Sequence, residues 1–255
     1  MDKVKNKKGL MAFSLALFLA GCGSLMSDDS KTNAPVGSGT AISPTDASLF
    51  PIAMLTIQTI NGSESCMAGY VSGVLVTAAH CVAELSESAC SDGTISVYWT
   101  KMNDGVPNDI GTKAACSSVV ADETGSSAND LAFLRLADTA VRPTFSLRFV
   151  AAPYITGDIC LFGSLQVTGP MLFGSGAILG AGEMITHRAA STGGFSGTPA
   201  LACAHGTDST NIEAAMPGAL SAGIAGIHVG VVSGLASLIP ALRVQQWLSA
   251  RGVQF

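Results

Sequence analysis

The sequence is poor in charged and aromatic residues. Charged residues make up 12% of the 255 residues, about half the usual share, and aromatic residues make up 6%. The net charge of −5 excludes a basic surface for nucleic acid, and the 48% of apolar residues exclude an intrinsically disordered chain. The mean hydropathy of +0.44 is high enough to suggest a membrane protein, so each uncharged apolar run has to be interpreted.

The amino terminus has the pattern of an export signal. Four lysines precede the uncharged segment 9–20, which as a helix reaches about 18 Å, short of the roughly 30 Å hydrocarbon layer. We therefore expect residues 1–21 to be a cleaved signal peptide. Leu19–Cys22 resembles the lipobox of bacterial lipoproteins, which implies a palmitate-bearing Cys22 and, with Gly23 following, an outer-membrane location. The alternative is an ordinary signal with a chance cysteine.

Two further segments bear on the topology of the chain. Residues 22–44 are rich in Ser, Thr, Gly and Asp, which predicts a flexible tether before a folded domain over 45–255. The uncharged run 221–242 has the length of a membrane helix with a small-residue face. Its four glycines and Pro240 disfavour a helix, so we interpret the run as buried strands and turns.

The cysteines are consistent with an oxidising compartment. With Cys22 set aside, an even number remains: Cys66, Cys81, Cys90, Cys116, Cys160 and Cys203. This predicts three disulfides, although the sequence alone leaves their pairing open. The lack of any CxxC pair and of histidines at finger spacing argues against a zinc site.

The body of the chain has the pattern of an all-β protein. Short segments rich in β-forming residues, such as 52–57, 69–76, 95–99 and 131–136, are separated by clusters of Gly, Ser, Asn and Asp. Only residues 241–250, behind Pro240, have clear helical periodicity. We expect barrels or a sandwich with one C-terminal α-helix.

Three motifs follow one another along this domain: Val76–Cys81, Asn129–Leu134 and Ser191–Pro199. Together they resemble the trypsin/chymotrypsin superfamily of serine proteases, whose catalytic residues follow the order His, Asp, Ser. The resemblance implies two perpendicular antiparallel β-barrels, over about 45–145 and 146–240, and the final helix. It also implies catalytic roles for His80, Asp130 and Ser196.

The chemistry of such a triad explains these residue types. A serine hydroxyl is a weak nucleophile until a neighbouring base takes its proton, which is the role of His80. Asp130 would fix the tautomer of His80 and stabilise the imidazolium; the alternative is a turn residue that caps the next strand. The backbone N–H groups of Gly194 and Ser196 would form the oxyanion hole.

The resemblance also implies a pairing of the cysteines. Cys66 and Cys81 correspond to the family's bridge at the histidine loop. Cys160 and Cys203 correspond to its bridge across the second barrel. Cys90 and Cys116 then pair by elimination.

Phe195 is a departure from the family pattern. In family members that are made as zymogens, an Asp at this position pairs with a freed amino terminus, so we expect no activation by that ion pair here. Phe195 is either an apolar anchor for the oxyanion loop or the mark of an inactive enzyme.

The specificity pocket shows a second departure. Ala190 replaces the Asp of trypsin-like enzymes, which argues against cleavage after Lys or Arg. Thr192–Pro199 and Gly226–His228 resemble bacterial glutamyl endopeptidases, which implies that Ser191 and His228 bind an acidic side chain. The alternative alignment makes Gly230–Ser233 the pocket strand, leaves His228 incidental and favours a small or medium apolar side chain.

The sequence thus predicts an exported serine endopeptidase, anchored by lipid to the periplasmic or surface face of a bacterial outer membrane. We expect a monomer that acts on protein or peptide substrates, with no cofactor, no metal and no nucleic-acid partner. The alternative is an inactive, protease-like binding lipoprotein. His187 and His205 are interpreted as residues of the surface or the pocket edge.

Overall fold

The computed structural model describes residues 45–83, 85–103, 106–122, 127–167, 171–208, 211–232 and 235–255. The predicted signal peptide over 1–21, the acylation site Cys22 and the tether over 22–44 lie outside the described residues. Their assignments stay predictions.

The first half of the described chain forms an antiparallel sheet of seven strands. After the two-residue strand β1 (Thr45–Asp46), the sheet is formed by β2 (Leu49–Thr59), β3 (Gly62–Val71), β4 (Val74–Thr77), β5 (Ile95–Asn103), β6 (Val106–Ala114), β7 (Cys116–Ala121) and β8 (Ala132–Leu136). The strands pair in the order β6-β5-β2-β3-β4-β8-β7. The short strand β9 (Arg142–Pro143) then pairs in parallel with β1.

This sheet is open, whereas a barrel was expected for residues 45–145. Its edge strands β6 and β7 follow one another along the chain, and Ala115 alone separates them. Register shifts in the β5–β6 and β7–β8 pairs increase the local twist. The sheet therefore curves without a hydrogen-bonded seam between its two edges.

Strands β2 and β5 contribute large buried side chains to the core of this sheet. All its residues from Leu49 to Ile57 are buried, as expected for a strand covered on both faces. The fully buried Trp99 packs edge-on against Tyr70, with ring centroids 5.6 Å apart. Its indole N–H donates to the carbonyl oxygen of Val141 at 2.8 Å, which satisfies the one polar atom that the ring brings into the core.

The second half forms a closed barrel of six strands. These are β10 (Asp158–Gly163), β11 (Leu172–Ala181), β12 (Ile185–His187), β13 (Pro199–Cys203), β14 (Ile224–Val232) and β15 (Leu235–Pro240). They close in the order β10-β11-β12-β15-β14-β13, and Ile159, Leu161, Ile185 and Leu238 are among the buried residues of the interior. The predicted all-β class is confirmed.

Two helices accompany the barrel. The C-terminal helix α2 (Ala241–Ser249) was predicted, and its Trp247 packs against Phe133 of the first sheet at a centroid distance of 5.7 Å. Helix α1 (Ile212–Ala222) was not predicted. Pro217 and Gly218 lie inside it and disfavour a helix in sequence, but Asn211 caps it by accepting a hydrogen bond from the Ala214 N–H at 3.0 Å.

The apolar run 221–242 forms strands rather than a membrane helix. It covers the end of α1, both strands of the β14–β15 hairpin and the start of α2. Among the described residues, no helix has both the length and the apolar character that a membrane crossing requires.

The structure contains three disulfides. They join Cys66 to Cys81, Cys90 to Cys116 and Cys160 to Cys203. These are the three pairs that the family resemblance implied. The first two each join a strand of the first sheet to a 3-10 turn, and the third links β10 to β13 on the face opposite the barrel's interior residues Ile159 and Ala202.

Candidate active site

His80 and Asp130 come together at the end of a strand pair in the first sheet. Strands β4 and β8 pair antiparallel, with Thr77 opposite Ala132, so the residues just outside them are neighbours. The ring Nδ1 of His80 is 2.6 Å from Oδ2 of Asp130, and the backbone N–H of His80 donates to Oδ1 at 2.7 Å. Because both carboxylate oxygens are used, the ring is fixed with Nδ1–H towards Asp130 and Nε2 as the free acceptor.

The same contacts set the basicity of His80. The hydrogen bond to Asp130 raises the pKa of the imidazole above its usual 6.5, burial opposes this rise, and the charges of Asp130 and Glu64 add to it. The His80 side chain remains 47% exposed, so it is open to solvent and to a ligand. A base of raised pKa whose imidazolium is stabilised by a carboxylate is suited to proton transfer.

Ser196 lies in the loop that leads into β13 of the second barrel. The N–H of Met67 in β3 donates to the carbonyl oxygen of Ser196 at 2.8 Å, which joins the serine loop to the first sheet. Gly197, with φ +83°, follows it. A Cβ there would collide with Oγ1 of Thr77 and the carbonyl oxygen of Met67, so only glycine fits. This close approach places Ser196 against the strand that leads into His80.

Within the described residues, the Ser196 hydroxyl makes no hydrogen bond, to Nε2 of His80 or to any other group. The hydroxyl is therefore not held away from the histidine by a competing acceptor. Hydrogen bonds between nucleophile and base are often long before substrate binds.

The loop before Ser196 is a tight turn. The Phe195 N–H donates to the carbonyl oxygen of Thr192 at 3.1 Å, and Gly194 has φ +92°. A positive φ at the third residue of such a turn is typical of type II, which requires glycine there. Neither the Gly194 N–H nor the Ser196 N–H donates to any described residue, so both remain available for an anion.

Phe195 is an apolar anchor for this turn. It is 2% exposed and lies among the barrel's interior residues. Its ring lies directly on Gly163 at the end of β10, where an added Cβ would come within 2.7 Å of the ring. Of the two interpretations of Phe195, the structure supports an apolar anchor that holds the turn by packing against Gly163.

His228 lies directly behind the serine. In β14, its backbone N–H donates to Thr198 at 2.9 Å, and its carbonyl oxygen accepts from the Gly197 N–H at 2.7 Å. The side chain is 1% exposed, and Nδ1 has no hydrogen-bond partner in the described structure. Burial, with a further contribution from His187, lowers the pKa of His228 to about 3. Ser191, the other predicted pocket residue, is half-buried five residues before the serine.

His187 is buried, so of the two predicted positions the surface is wrong. It is 1% exposed, and its ring packs against that of His228 with centroids 5.5 Å apart. Burial lowers its pKa to about 4, so both rings are neutral near pH 7. The alternation of Ile185 and His187 in the short strand β12 was the available signal, since residues two apart in a strand face the same side.

His205 remains at the surface, as expected. Its side chain is 84% exposed, and its Nδ1 lies 3.1 Å from Oδ1 of Asp158, the first residue of β10. The structure therefore separates the two histidines that the sequence treated alike.

One group of ligand-type side chains occurs among the described residues, namely Cys66, His80 and Cys81. The two sulfur atoms are joined to each other, and Nδ1 of His80 is bound to Asp130. The donors of this group are therefore already engaged by one another and by the carboxylate.

Comparison with known proteins identifies the fold. No protein-family model and no curated protein sequence matches the chain. Solved structures of serine proteases do match. A Glu endopeptidase is 16% identical, with a TM-score of 0.54 over 86% of this chain and 95% of its own. The Rv3671c protease of M. tuberculosis H37Rv, in an inactive form, is 17% identical, with a TM-score of 0.51 over 79% of this chain and 89% of its own.

An inactivated protease paralogue of the scabies mite also matches, at 13% identity and a TM-score of 0.52 over 78% of this chain and 93% of its own. The chain therefore has the chymotrypsin-like fold of serine proteases. Because the matches include a Glu endopeptidase and an inactivated protease paralogue, the fold alone does not decide whether this chain is catalytic.

Proposed function

We propose that the protein is a serine endopeptidase in which Ser196 is the nucleophile, His80 the general base and then acid, and Asp130 the residue that orients His80. The observation that carries the proposal is the pair of hydrogen bonds from His80 to both oxygens of Asp130, at 2.6 and 2.7 Å, beside a serine loop with two free N–H groups.

The reaction proceeds in two acyl-transfer steps. Oγ of Ser196 bonds to the scissile carbonyl carbon as its proton passes to Nε2 of His80, and the N–H groups of Gly194 and Ser196 hold the resulting oxyanion. When this tetrahedral intermediate collapses, its C–N bond breaks and His80 gives its proton to the leaving amine. Water then repeats the sequence on the acyl-enzyme and releases the acid.

We propose that the acyl portion of the substrate carries an acidic side chain, which binds at His228. His228 is a buried imidazole with an unpartnered Nδ1, and an unpaired buried polar atom is costly unless a ligand satisfies it. Resemblance to a Glu endopeptidase in fold adds to this argument. The other candidate is a small or medium apolar side chain, with His228 incidental.

The second candidate function is a binding protein that does not hydrolyse peptide bonds. The similarity in fold to an inactivated protease paralogue supports this candidate. Fluorophosphonate labelling and casein hydrolysis distinguish the two functions. The wild type should be labelled and should cleave casein, and Ser196→Ala should do neither. A folded wild type that binds protein but is neither labelled nor hydrolytic would establish the binding function instead.

We also propose export and lipid anchoring. The three disulfides support an extracytoplasmic location. Labelled palmitate should enter the wild type and be absent from Cys22→Ala. Equal labelling of the two would refute acylation at Cys22.

A further inference from the structure

A groove of about 460 Å³ lies next to His80 on the first sheet. Its walls come from residues 57–61, at the end of β2 and the turn after it, together with Glu64, His80, Cys81 and Leu85. The second barrel, which supplies Ser196, the oxyanion turn and His228, contributes no lining residue among those described. The groove therefore belongs to the half of the site that holds the base.

This position corresponds to the leaving-group side of the scissile bond. In the proposed reaction, the acyl portion of the substrate lies at the oxyanion turn and His228, which both belong to the second half of the chain. The leaving amine must receive its proton from His80, so the peptide that departs has to run past that ring. The oxyanion turn borders the same edge, since a Cβ built on Gly194 would point to the carbonyl oxygen of Ser65 at 3.7 Å.

Glu64 gives the groove its charge. It precedes Ser65 in β3, is exposed, and is the one carboxylate among the described lining residues. In the described structure it has no ion-pair or hydrogen-bond partner. Its negative charge also contributes to the raised pKa of His80.

The remaining lining suits the methylene chain of a long basic side chain. Ile57 and Leu85 provide apolar walls, and Ile60 is fully exposed at the turn. The Cys66–Cys81 disulfide lies beside the Ser196 carbonyl oxygen. Lysine and arginine bury their methylene stems on such surfaces while the charged end seeks a carboxylate.

We propose that this groove binds the leaving-group segment of the substrate and that Glu64 selects a lysine or arginine within its first two residues. The inference rests on the proposed endopeptidase function. Since Glu64 is exposed, its ion pair with the substrate is expected to give a preference of about threefold, which salt weakens.

Acyl transfer tests this directly. An ester substrate forms the acyl-enzyme, and added amino-acid amides then compete with water for it. The acceptor amine forms the new amide bond as the ester bond to Ser196 Oγ breaks, and its proton passes through His80 to the serine. Argininamide is compared with citrullinamide, its uncharged isostere, and Ala-Arg-amide with Ala-Cit-amide, which separates the first leaving-group position from the second.

The measured quantity is the partition between aminolysis and hydrolysis, which does not depend on the amount of active enzyme. In the wild type, arginine should exceed citrulline by about threefold at one of the two positions. Glu64→Gln should bring this ratio to about one and Glu64→Lys below one. Glu213→Gln, which removes an exposed carboxylate on α1, should leave the ratio at the wild-type value.

Two results overturn the proposal, and they can be told apart. Equal partition of arginine and citrulline acceptors in a wild type that does form the acyl-enzyme refutes the role of Glu64 alone, as does a ratio that Glu64→Gln leaves unchanged. Absence of any acyl-enzyme refutes the endopeptidase function and the subsite with it.

Discussion

The open first sheet and the closed second barrel build their shares of the candidate site by different physical means. In the first sheet, His80 and Asp130 are held by charge-assisted hydrogen bonds at 2.6 and 2.7 Å. In the barrel, the serine loop is held by a buried phenylalanine and by glycines that permit close approach. Damage to the first should therefore change the pH dependence of the reaction, and damage to the second should change its rate at every pH.

The largest effect is expected for Asp130→Asn. In serine proteases with a Ser-His-Asp triad, replacing the orienting Asp by Asn lowers kcat by a factor of about 10⁴. This variant should show a similar loss. His80 must be neutral to act as a base, so activity is lost as pH falls through its raised pKa. Without Asp130, that acid limb should move to lower pH in a profile of kcat/KM for an ester substrate.

The control for this prediction is Asp92→Asn, which removes an exposed carboxylate in the turn before β5 whose hydrogen bonds, within the described structure, are to Thr94 and Ser88. It should leave both the rate and the acid limb unchanged. If the acid limb of Asp130→Asn stays at the wild-type pH, the Asp130 carboxylate does not raise the pKa of His80, and the prediction is wrong.

A smaller but still large effect is expected for Phe195→Ala. With the anchor on Gly163 gone, the turn that presents the Gly194 N–H should loosen, and kcat should fall by about 10² to 10³, the value of an oxyanion donor. The acid limb should stay where it is, because His80 and Asp130 are untouched.

Truncation of a buried phenylalanine also destabilises a fold by about 3–5 kcal/mol, so Phe195→Leu is measured beside it, with Phe162→Leu as the matched control. Phe162 is fully buried in β10. Thermal unfolding and kcat are recorded for all three. If Phe162→Leu lowers kcat as much as Phe195→Leu at equal stability loss, the anchor has no specific role in the turn.

A moderate effect is expected for His228→Gln, measured with matched peptides that carry Glu or Gln before the scissile bond. The wild type should prefer Glu by about tenfold, as for a hydrogen bond to a charged group, and the variant should lose the preference. His205→Gln, at the exposed histidine, is the control. Cleavage after apolar residues that His228→Gln leaves unchanged would favour the apolar alternative.

The pH dependence of this preference follows from the burial of His228, which lowers its pKa to about 3 and keeps the free ring neutral at pH 6–8. A bound carboxylate favours the protonated ring and raises that pKa, so binding takes up a proton. The preference for Glu over Gln should therefore grow as pH falls within this range.

The features that could be predicted were those whose residue types are dictated by the local backbone conformation. The three motifs identified His80, Asp130 and the glycines around Ser196, because a strand end or a tight turn limits which residues fit. The C-terminal helix was predictable because its apolar residues recur at helical spacing. The three disulfide pairs followed from the family resemblance, since spacing alone allows many pairings.

What depended on packing could not be predicted. Helix α1 contains Pro217 and Gly218, and its cap at Asn211 and its buried Met216 outweigh their unfavourable propensities. The burial of His187 depends on its neighbour across the barrel, His228, which is distant in sequence. The role of Phe195 depends on Gly163, whose lack of a side chain makes room for the ring and which is distant in sequence.

The most direct test of the account is the rate of inactivation by a fluorophosphonate as a function of pH, with the adduct mapped by mass spectrometry. A single adduct on Ser196, formed at a rate that rises along one titration with a midpoint above pH 6.5, is the predicted result. An adduct at another residue, or a rate on Ser196 that does not titrate, would contradict the claim that His80 and Asp130 act on this hydroxyl.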